Sequence, residues 1–203
     1  MLASPSNDTR FDLIIRGARV IDPAQDFDAI ADIGVADGRI AAIGDLSAAS
    51  ADETIDASGA IVSPGWIDLH AHVYSDSSVS GLDADSEAGI ATGVTTVVDA
   101  GSAGAQTWAD FRESVIDTAQ TRVLAFLNIS VNPRLKPKHG DWANFSQSKT
   151  IRLAEAEAAA GRCLGIKVLA SQTHCGNLGI TPVRLARQAA RLSGTGLMVH
   201  IGN

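Results

Sequence analysis

The sequence is poor in cysteine, in aromatic side chains and in positive charge. Two of its 203 residues are cysteines and 4% are aromatic. Because Cys163 and Cys175 do not form a CxxC pair, we interpret them as two reduced thiols of a cytoplasmic protein. The 16 Lys and Arg residues are outnumbered by 23 Asp and Glu residues, which gives a formal net charge of −7. This charge argues against binding to nucleic acid or to anionic lipid.

Long apolar segments are also missing. No stretch approaches the roughly 20 apolar residues of a membrane span, and the first ten residues (MLASPSNDTR) lack the positive start and apolar run of a signal peptide. We therefore expect neither a membrane nor a nucleic-acid partner. With 45% hydrophobic and 19% charged residues, the chain has the composition of a globular protein with a substantial core.

The first part of the chain predicts a small β module over residues 1–63, which we expect to be a β-sandwich. Residues 11–22 (FDLIIRGARVID) have the β-branched character of a strand, and residues 32–44 (DIGVADGRIAAIG) predict a hairpin around Asp37-Gly38. Another short extended segment lies at 53–65. Such a module is marginally stable alone, so we expect it to pack on the next domain and to be completed by a later segment of a longer chain.

Residues 64–203 predict a second domain of alternating strands and helices. The expected strands are 66–73, 95–100, 122–130, 165–171 and 196–202. The expected helices are 83–93, 107–119, 149–161 and 181–194. In the last helix we expect Thr181 as the N-cap and Gly194 as the C-terminal stop. The long mixed loop 131–148 could cover a site.

This order of elements favours an α/β fold of the (β/α)8 TIM-barrel type over an open sheet. A complete barrel takes about 250 residues, whereas about 140 residues follow the β module. We therefore expect the barrel only through about its fifth strand, as the first part of a longer protein.

Two histidines lie at the end of the first expected barrel strand. In PGWIDLHAHVYSD (64–76), Asp68, His70 and His72 point to one face of the strand, and we expect the apolar residues between them to meet helices on the other. Neutral imidazoles at positions i and i+2 can converge on one metal ion. The alternative is a pair of histidines that fill the core.

Two further candidate ligands end later strands. Lys167 lies in an apolar segment (LGIKVLAS) where a charged amine is costly, and burial lowers the pKa of an amine. A neutral amine can take up carbon dioxide to become a carbamate that bridges two cations; the alternative is a lysine that reaches solvent from a strand end. His200 (GLMVHIGN) lies at the C-terminal end of an expected strand, as His70 and His72 do. We interpret it as a ligand because active sites of such barrels lie at the C-terminal ends of the strands.

Other polar residues are weaker candidates. Asp99 and Asn128 end the second and third strands, where either side chain could orient a ligand or contact a substrate. The alternative for both is a simple polar strand end. His139 and His174 fall in expected loops, and we interpret them as surface residues.

Taken together, SPGWIDLHAHVY, GVTTVVDAG, GIKVLAS and GLMVHIGN resemble, at these spacings, the amidohydrolase superfamily of metal-dependent hydrolases. The resemblance covers the chain from about residue 10. It is strongest to the binuclear enzymes with a carbamylated lysine, in the branch of dihydroorotase-like deacetylases. It implies two divalent cations, expected to be zinc. It further implies that His70 and His72 bind the more buried metal, that carbamylated Lys167 bridges the two, and that His200 binds the second.

Two departures from the family pattern bear on function. The family also needs a histidine from the sixth strand and an aspartate from the eighth, which is its usual general acid/base, and we expect both beyond residue 203. True dihydroorotases carry an arginine two residues after the HxH motif to hold the substrate carboxylate, where this chain has Tyr74. We keep Tyr74 and Asp68 as candidate substrate-binding or supporting residues.

The resemblance implies a hydrolase in which a metal-bridging hydroxide attacks a non-peptide amide C–N bond of a small molecule. We expect a deacetylase of N-acyl or O-acyl amino or hydroxy acids. A cyclic amidase of the dihydroorotase or hydantoinase type is one alternative. A non-catalytic barrel relative or an inactive fragment is another. Whether identical subunits associate stays open.

Overall fold

The computed structural model describes residues 10–75, 81–133 and 145–202. The chain divides between Pro64 and Gly65 into two units, and each unit has its own sheet. Most of the predicted loop 131–148, including His139, lies outside the described residues.

The first unit is a mixed sheet whose five strands are β1 (Arg10–Asp22), β2 (Phe27–Ala36), β3 (Arg39–Gly44), β4 (Ser50–Asp56) and β5 (Ile61–Val62). β1 pairs antiparallel with β2 and parallel with β4 and β5. The predicted hairpin is confirmed, because β2 and β3 pair antiparallel across Asp37 and Gly38. The φ angles of these two residues, 52° and 69°, are those of a primed turn. Two separate buried clusters, one around Phe11 and one around Val20, form the core of the unit.

The second unit is a curled parallel sheet of the partial TIM-barrel type. Its strands are β6 (Trp66–Ala71), β7 (Val94–Asp99), β8 (Arg122–Asn128), β9 (Cys163–Leu169) and β10 (Gly196–His200). Each strand pairs in parallel with the next one along the chain, which is the order that a barrel of βα units requires. All five predicted strands are present, and their ends differ from the prediction by two residues at most.

Helices cover one side of this sheet. They are α1 (Trp108–Phe111), α2 (Gln147–Ala159) and α4 (Thr181–Ser193), whereas α3 (Gln172–Cys175) follows the C-terminal end of β9. α2 and α4 pack against each other and against β9, with small side chains such as Ala154 and Ala186 fully buried between them. In the described ranges, no helix combines the length and the apolar character needed to cross a membrane.

The predicted cap of α4 is wrong by one residue. Ile180 occupies the N-cap position with helical backbone angles (φ −79°, ψ −3°), so Thr181 is already the first residue of the helix and no side chain caps it. The predicted end is confirmed, because Gly194 closes the helix in the left-handed conformation.

The helix predicted over residues 83–93 is not an α-helix. The segment forms turns and a single 3-10 turn at Ile90–Thr92. Its geometry depends on a contact distant in sequence, because the Asp85 carboxylate accepts the backbone N–H groups of Gln120 at 3.1 Å and Thr121 at 2.7 Å. The segment is thereby tied to the chain just before β8.

The helix predicted over residues 107–119 is α-helical only in α1 and continues as a π-helical turn, Arg112–Ile116. The hydroxyl of Ser114 donates to the carbonyl of Asp110 at 2.6 Å, and such bonds compete with the regular helical pattern. The predicted apolar face is nevertheless the buried one, since Phe111 belongs to the core.

The edge strands of the sheet expose apolar side chains. We expected Ile67 and Leu69 to meet helices, but they are 61% and 66% exposed because β6 is the last strand on its side of the sheet. Trp66 at the start of β6 and Ile201 just after β10 are also exposed. Burial at these positions therefore depends on neighbours that the described residues do not supply.

Candidate metal centre

The alternation of side chains along the strands brings the predicted ligands to one face of the sheet. On β9, Ile166 and Val168 belong to the core shared with the helices, so Lys167 between them points to the opposite face. His200 on β10 pairs with Leu169, two residues after Lys167, and so shares its face. His70 lies where the pairing of β6 with β7 shifts in register, between Asp68 and Ala71. These side chains lie toward the C-terminal ends of their strands, as predicted.

The two histidines of the HxH motif lie side by side. The ring centroids of His70 and His72 are 5.7 Å apart, with His70 exposed and His72 half-buried just past the end of β6. The Asp68 carboxylate accepts the backbone N–H of His70 at 2.8 Å and so supports this strand end.

Electrostatics favour neutral imidazoles in this motif. Burial lowers the pKa of both His70 and His72, and the positive charges of Lys167 and His200 lower the pKa of His70 further. The neutral imidazole is the form that binds a metal ion. The effect of Lys167 and His200 also indicates that the ends of β9 and β10 lie within electrostatic range of β6.

Lys167 is a buried lysine without an ion-pair partner in the part of the chain that the structure describes. Its side chain is 1% exposed, so it does not reach solvent. Its Nζ lies 3.4 Å from Sδ of Met198 on β10. Burial lowers the pKa of the Lys167 amine, and the negative charge of Asp99 opposes this shift in part. The site therefore shifts the Lys167 amine toward its neutral form.

Asp99 and Asn128 are occupied by contacts within the protein. Asp99 is fully buried, and its carboxylate accepts the backbone N–H groups of Val73 at 3.0 Å, Gly101 at 3.0 Å and Ser102 at 2.7 Å. Asn128 is 4% exposed and donates to the carbonyl of Gly101 at 2.9 Å. Both residues support the strand ends that carry the candidate ligands.

Sequence reasoning missed two residues of the turn after β7. Ser102 is 3% exposed, and its Oγ lies 2.8 Å from Nδ1 of His72. Gly101 has a φ of +89°, and a Cβ at this position would lie 2.5 Å from Cβ and Cγ of Lys167. The available signal was the run of small residues in DAGS directly after a strand end. One short turn thus contacts ligand candidates from both β6 and β9.

Tyr74 lies in the core and not with the candidate ligands. It is 2% exposed, its ring centroid is 5.1 Å from that of Phe111, and its hydroxyl donates to the carboxylate of Asp110. These contacts place the side chain on the helix-covered side of the sheet.

His174 is exposed, as predicted for a surface residue, but it also lies beside a candidate ligand. Its ring centroid is 6.3 Å from that of His200, and its Nδ1 lies 2.5 Å from Oγ of Ser171. Burial lowers the pKa of His174, with a smaller contribution from the charge of His200.

The donor set fits a divalent cation by its chemistry. It comprises two imidazoles from one strand end, a buried amine and a further imidazole. Imidazole nitrogen is a ligand that zinc accepts readily. Within the described ranges, no three His, Cys, Asp or Glu side chains already meet as a metal-binding group. A complete coordination shell therefore requires a contribution from Lys167 or from further residues.

Curated relatives that match most of this chain include deacetylases. It is 40% identical over 179 residues to a deacetylase of Brucella anthropi, a match that covers 86% of this chain and 44% of that protein. It is 38% identical over 169 residues to a deacetylase of Agrobacterium fabrum, covering 82% and 41%. The chain spans about half the length of the curated relatives it matches. No protein-family model matches the chain.

Solved structures share the fold. A dihydroorotase superposes with a TM-score of 0.76 at 30% identity, covering 94% of this chain and 51% of that one. An adenine deaminase gives a TM-score of 0.74 at 30% identity, covering 95% and 51%. An N-acyl-D-glutamate deacylase from Bordetella bronchiseptica, complexed with zinc and a phosphonate inhibitor, gives 0.67 at 22% identity, covering 96% and 46%, and supports the fold alone.

The chain therefore belongs to the amidohydrolase superfamily and corresponds to an N-terminal portion of such a protein. Within that superfamily, its relatives from Brucella anthropi and Agrobacterium fabrum are both deacetylases.

Proposed function

We propose that the complete protein is a metal-dependent amidohydrolase that removes the acyl group from small N-acyl or O-acyl amino or hydroxy acids. One observation supports the proposal: the candidate ligands His70, His72, Lys167 and His200 lie toward or just beyond the C-terminal ends of strands of the barrel sheet. The deacetylase relatives at 38% and 40% identity support the removal of an acyl group.

In this proposal His70, His72 and His200 would hold two zinc ions, and Lys167 would contribute a further oxygen ligand as a carbamate. The neutral amine nitrogen would add to the carbon of carbon dioxide and lose one proton to solvent, which turns a neutral amine into a negatively charged oxygen ligand. The support is that the Lys167 amine is buried, lacks an ion pair in the described part of the chain, and has a pKa lowered by burial.

When bound, the two cations would supply the Lewis acidity that ionises a water molecule and polarises the acyl carbonyl. The protein's own contribution lies in positioning. Asp68 supports the backbone at His70, and Asp99 fixes the backbone just after His72 through the N–H of Val73. The aspartate expected beyond residue 203 as general acid/base stays a prediction.

A cyclic amidase of the dihydroorotase type is the second candidate, favoured by the dihydroorotase structure with its TM-score of 0.76. The position two residues after the HxH motif argues against it. Tyr74 offers no positive charge there, and its contacts with Phe111 and Asp110 direct it into the core.

The two candidates are separated by substrate assays on the complete protein with zinc added. A deacetylase releases acetate from N-acetyl amino acids or O-acetyl hydroxy acids and leaves dihydroorotate and hydantoins intact. Opening of the cyclic compounds without acetate release would favour the second candidate. Less than one equivalent of bound zinc per chain would contradict both and support a non-catalytic relative.

A matched pair of histidine variants connects the activity to the centre. His70→Asn and His174→Asn each replace an exposed histidine at the same end of the sheet. We expect His70→Asn to lose metal and activity, and His174→Asn to retain the metal. Equal metal loss in both variants would contradict the proposed ligand set.

The cytoplasmic location is part of the same proposal. It is supported by Cys163 and Cys175, which are both buried and free. The expected lack of nucleic-acid and membrane partners stays a prediction, and subunit association stays open.

A further inference from the structure

The side chain of Ser102 makes a specific contact with one nitrogen of His72. Its Oγ lies 2.8 Å from Nδ1, and the residue is 3% exposed, so water does not compete freely for the bond. Of the two ring nitrogens of His72, Ser102 therefore occupies Nδ1 and leaves Nε2 for another partner.

The position of Ser102 is fixed by the turn that carries it. Its backbone N–H donates to the fully buried Asp99 carboxylate at 2.7 Å. The same carboxylate accepts the N–H of Val73, the residue directly after His72, at 3.0 Å. One carboxylate thus sets the positions of both partners in the Ser102–His72 contact.

The direction of the hydrogen bond is set by the chemistry of a ligand imidazole. A neutral imidazole carries one proton, and the nitrogen that binds a metal must present its lone pair. If Nε2 binds the metal, the proton resides on Nδ1, and Ser102 Oγ accepts it.

We propose that Ser102 is a positioning residue that holds His72 as the Nδ1–H tautomer with Nε2 presented to the metal. This inference rests on the metal centre of the proposed function. Partners that hold the second nitrogen of a ligand histidine typically contribute 10- to 100-fold to metal affinity.

The first test is spectroscopic and needs no metal. In the metal-free complete protein labelled with 15N-histidine, the nitrogen shifts of His72 report which nitrogen carries the proton, and His72→Asn assigns the signals. We expect Nδ1–H in the native protein and a mixture of tautomers in Ser102→Ala. A native His72 protonated at Nε2, or identical signals in Ser102→Ala, would overturn the proposal.

The second test measures the affinity of the metal-free protein for Zn2+ by competition with a chelator. Ser171→Ala is the matched control, because Ser171 is 4% exposed and also contacts a histidine Nδ1, that of His174 at 2.5 Å. We expect Ser102→Ala to bind Zn2+ 10- to 100-fold more weakly, Ser171→Ala to bind it as the native protein does, and Ser102→Thr to recover affinity by restoring a hydroxyl.

The two tests distinguish this proposal from the one on which it rests. Native protein that binds no Zn2+ contradicts the metal centre, while the tautomer measurement still decides the role of Ser102. Equal losses of affinity in Ser102→Ala and Ser171→Ala indicate a general loss of packing and overturn the positioning role.

Discussion

An aspartate accepts backbone N–H groups at a turn in each of the two units, but the negative charges of the two carboxylates are compensated differently. In the first unit, Asp32 accepts the backbone N–H groups of Gly17 at 2.9 Å and Leu46 at 3.1 Å and pairs with the Arg16 guanidinium at 3.3 Å. In the barrel sheet, Asp99 accepts three backbone N–H groups and has no ion-pair partner among the described residues.

A carboxylate that accepts backbone N–H groups thus has a different electrostatic role in each unit. The charge of Asp32 is compensated by the adjacent Arg16 guanidinium. The charge of Asp99 acts through space on the candidate ligands, where it raises the pKa of His72 and Lys167 against the lowering effect of burial. Asp99 therefore both holds the turn and supplies negative charge to a site expected to collect cations.

The largest expected effect comes from exchanging one basic residue in each unit, Lys167 and Arg16, for methionine. Lys167→Met should reduce activity about 10³-fold, the equivalent of about 4 kcal/mol of transition-state stabilisation. It should not lower the free energy of unfolding of the metal-free protein, because it removes a buried, unpaired amine. Arg16→Met should instead lower the free energy of unfolding, because it leaves Asp32 without its counter-ion, and should leave the activity unchanged. Steady-state kinetics and urea unfolding check both; a large stability loss in Lys167→Met would contradict the assigned environment.

Two glycines with positive φ extend the comparison. Gly101→Ala should lower the free energy of unfolding by about 2–4 kcal/mol, since the new methyl group combines backbone strain with overlap on the stem of Lys167. Gly38→Ala has the same kind of backbone, with φ +69° and no neighbour within 4 Å, and should cost about 1 kcal/mol. Only Gly101→Ala should weaken Zn2+ binding. Equal losses of stability and of Zn2+ affinity in the two variants would show that the Lys167 side chain does not depend on the missing Cβ at Gly101.

The two aspartates themselves provide a smaller effect. Asp99→Asn and Asp32→Asn each exchange an acceptor-only carboxylate for an amide, which should lower the free energy of unfolding by about 1–3 kcal/mol. We expect only Asp99→Asn to weaken Zn2+ binding as well. Chelator competition alongside urea unfolding measures both quantities, and a loss of Zn2+ affinity in Asp32→Asn would remove the distinction between the turns.

The smallest expected effect is a dependence of stability on alkaline pH. The pKa of Lys167 is lowered in the folded protein, while in the unfolded chain it keeps its ordinary value of 10.5. Between these two values the unfolded state binds the additional proton, so the free energy of unfolding rises with pH, by at most about 1.4 kcal/mol per pH unit. Below the lowered pKa both states are protonated and this contribution is flat. Metal-free protein kept free of carbon dioxide should show the rise, and Lys167→Met should not.

The sequence predicted the barrel strands and the face of the candidate ligands because alternation along a strand is a local property. Lys167 and His200 could be placed on their strands from their immediate neighbours alone. Contacts distant in sequence were not predictable in this way. The hydrogen bond that the Thr121 backbone N–H donates to Asp85 holds turns where a helix was predicted, and the contact between Ser102 and His72 joins residues thirty positions apart.

Tyr74 was selected from its position in the sequence, but its side chain points elsewhere. It was a candidate because it comes just after the HxH motif, yet its contacts with Phe111 and Asp110 turn it into the core. Beyond the last residue of a strand the chain no longer alternates, so the period of two does not predict where Tyr74 points.

The exposed start of β6 gives the protein an internal optical reporter. Trp66 is 67% exposed at the sheet edge, whereas Trp108 is 2% exposed in the core. Emission from the first indole should therefore be red-shifted and open to quenching by iodide, while emission from the second should be neither. Any chain segment or subunit that comes to cover this edge would shift the Trp66 emission to shorter wavelength, so fluorescence can follow how the edge is covered while the protein assembles.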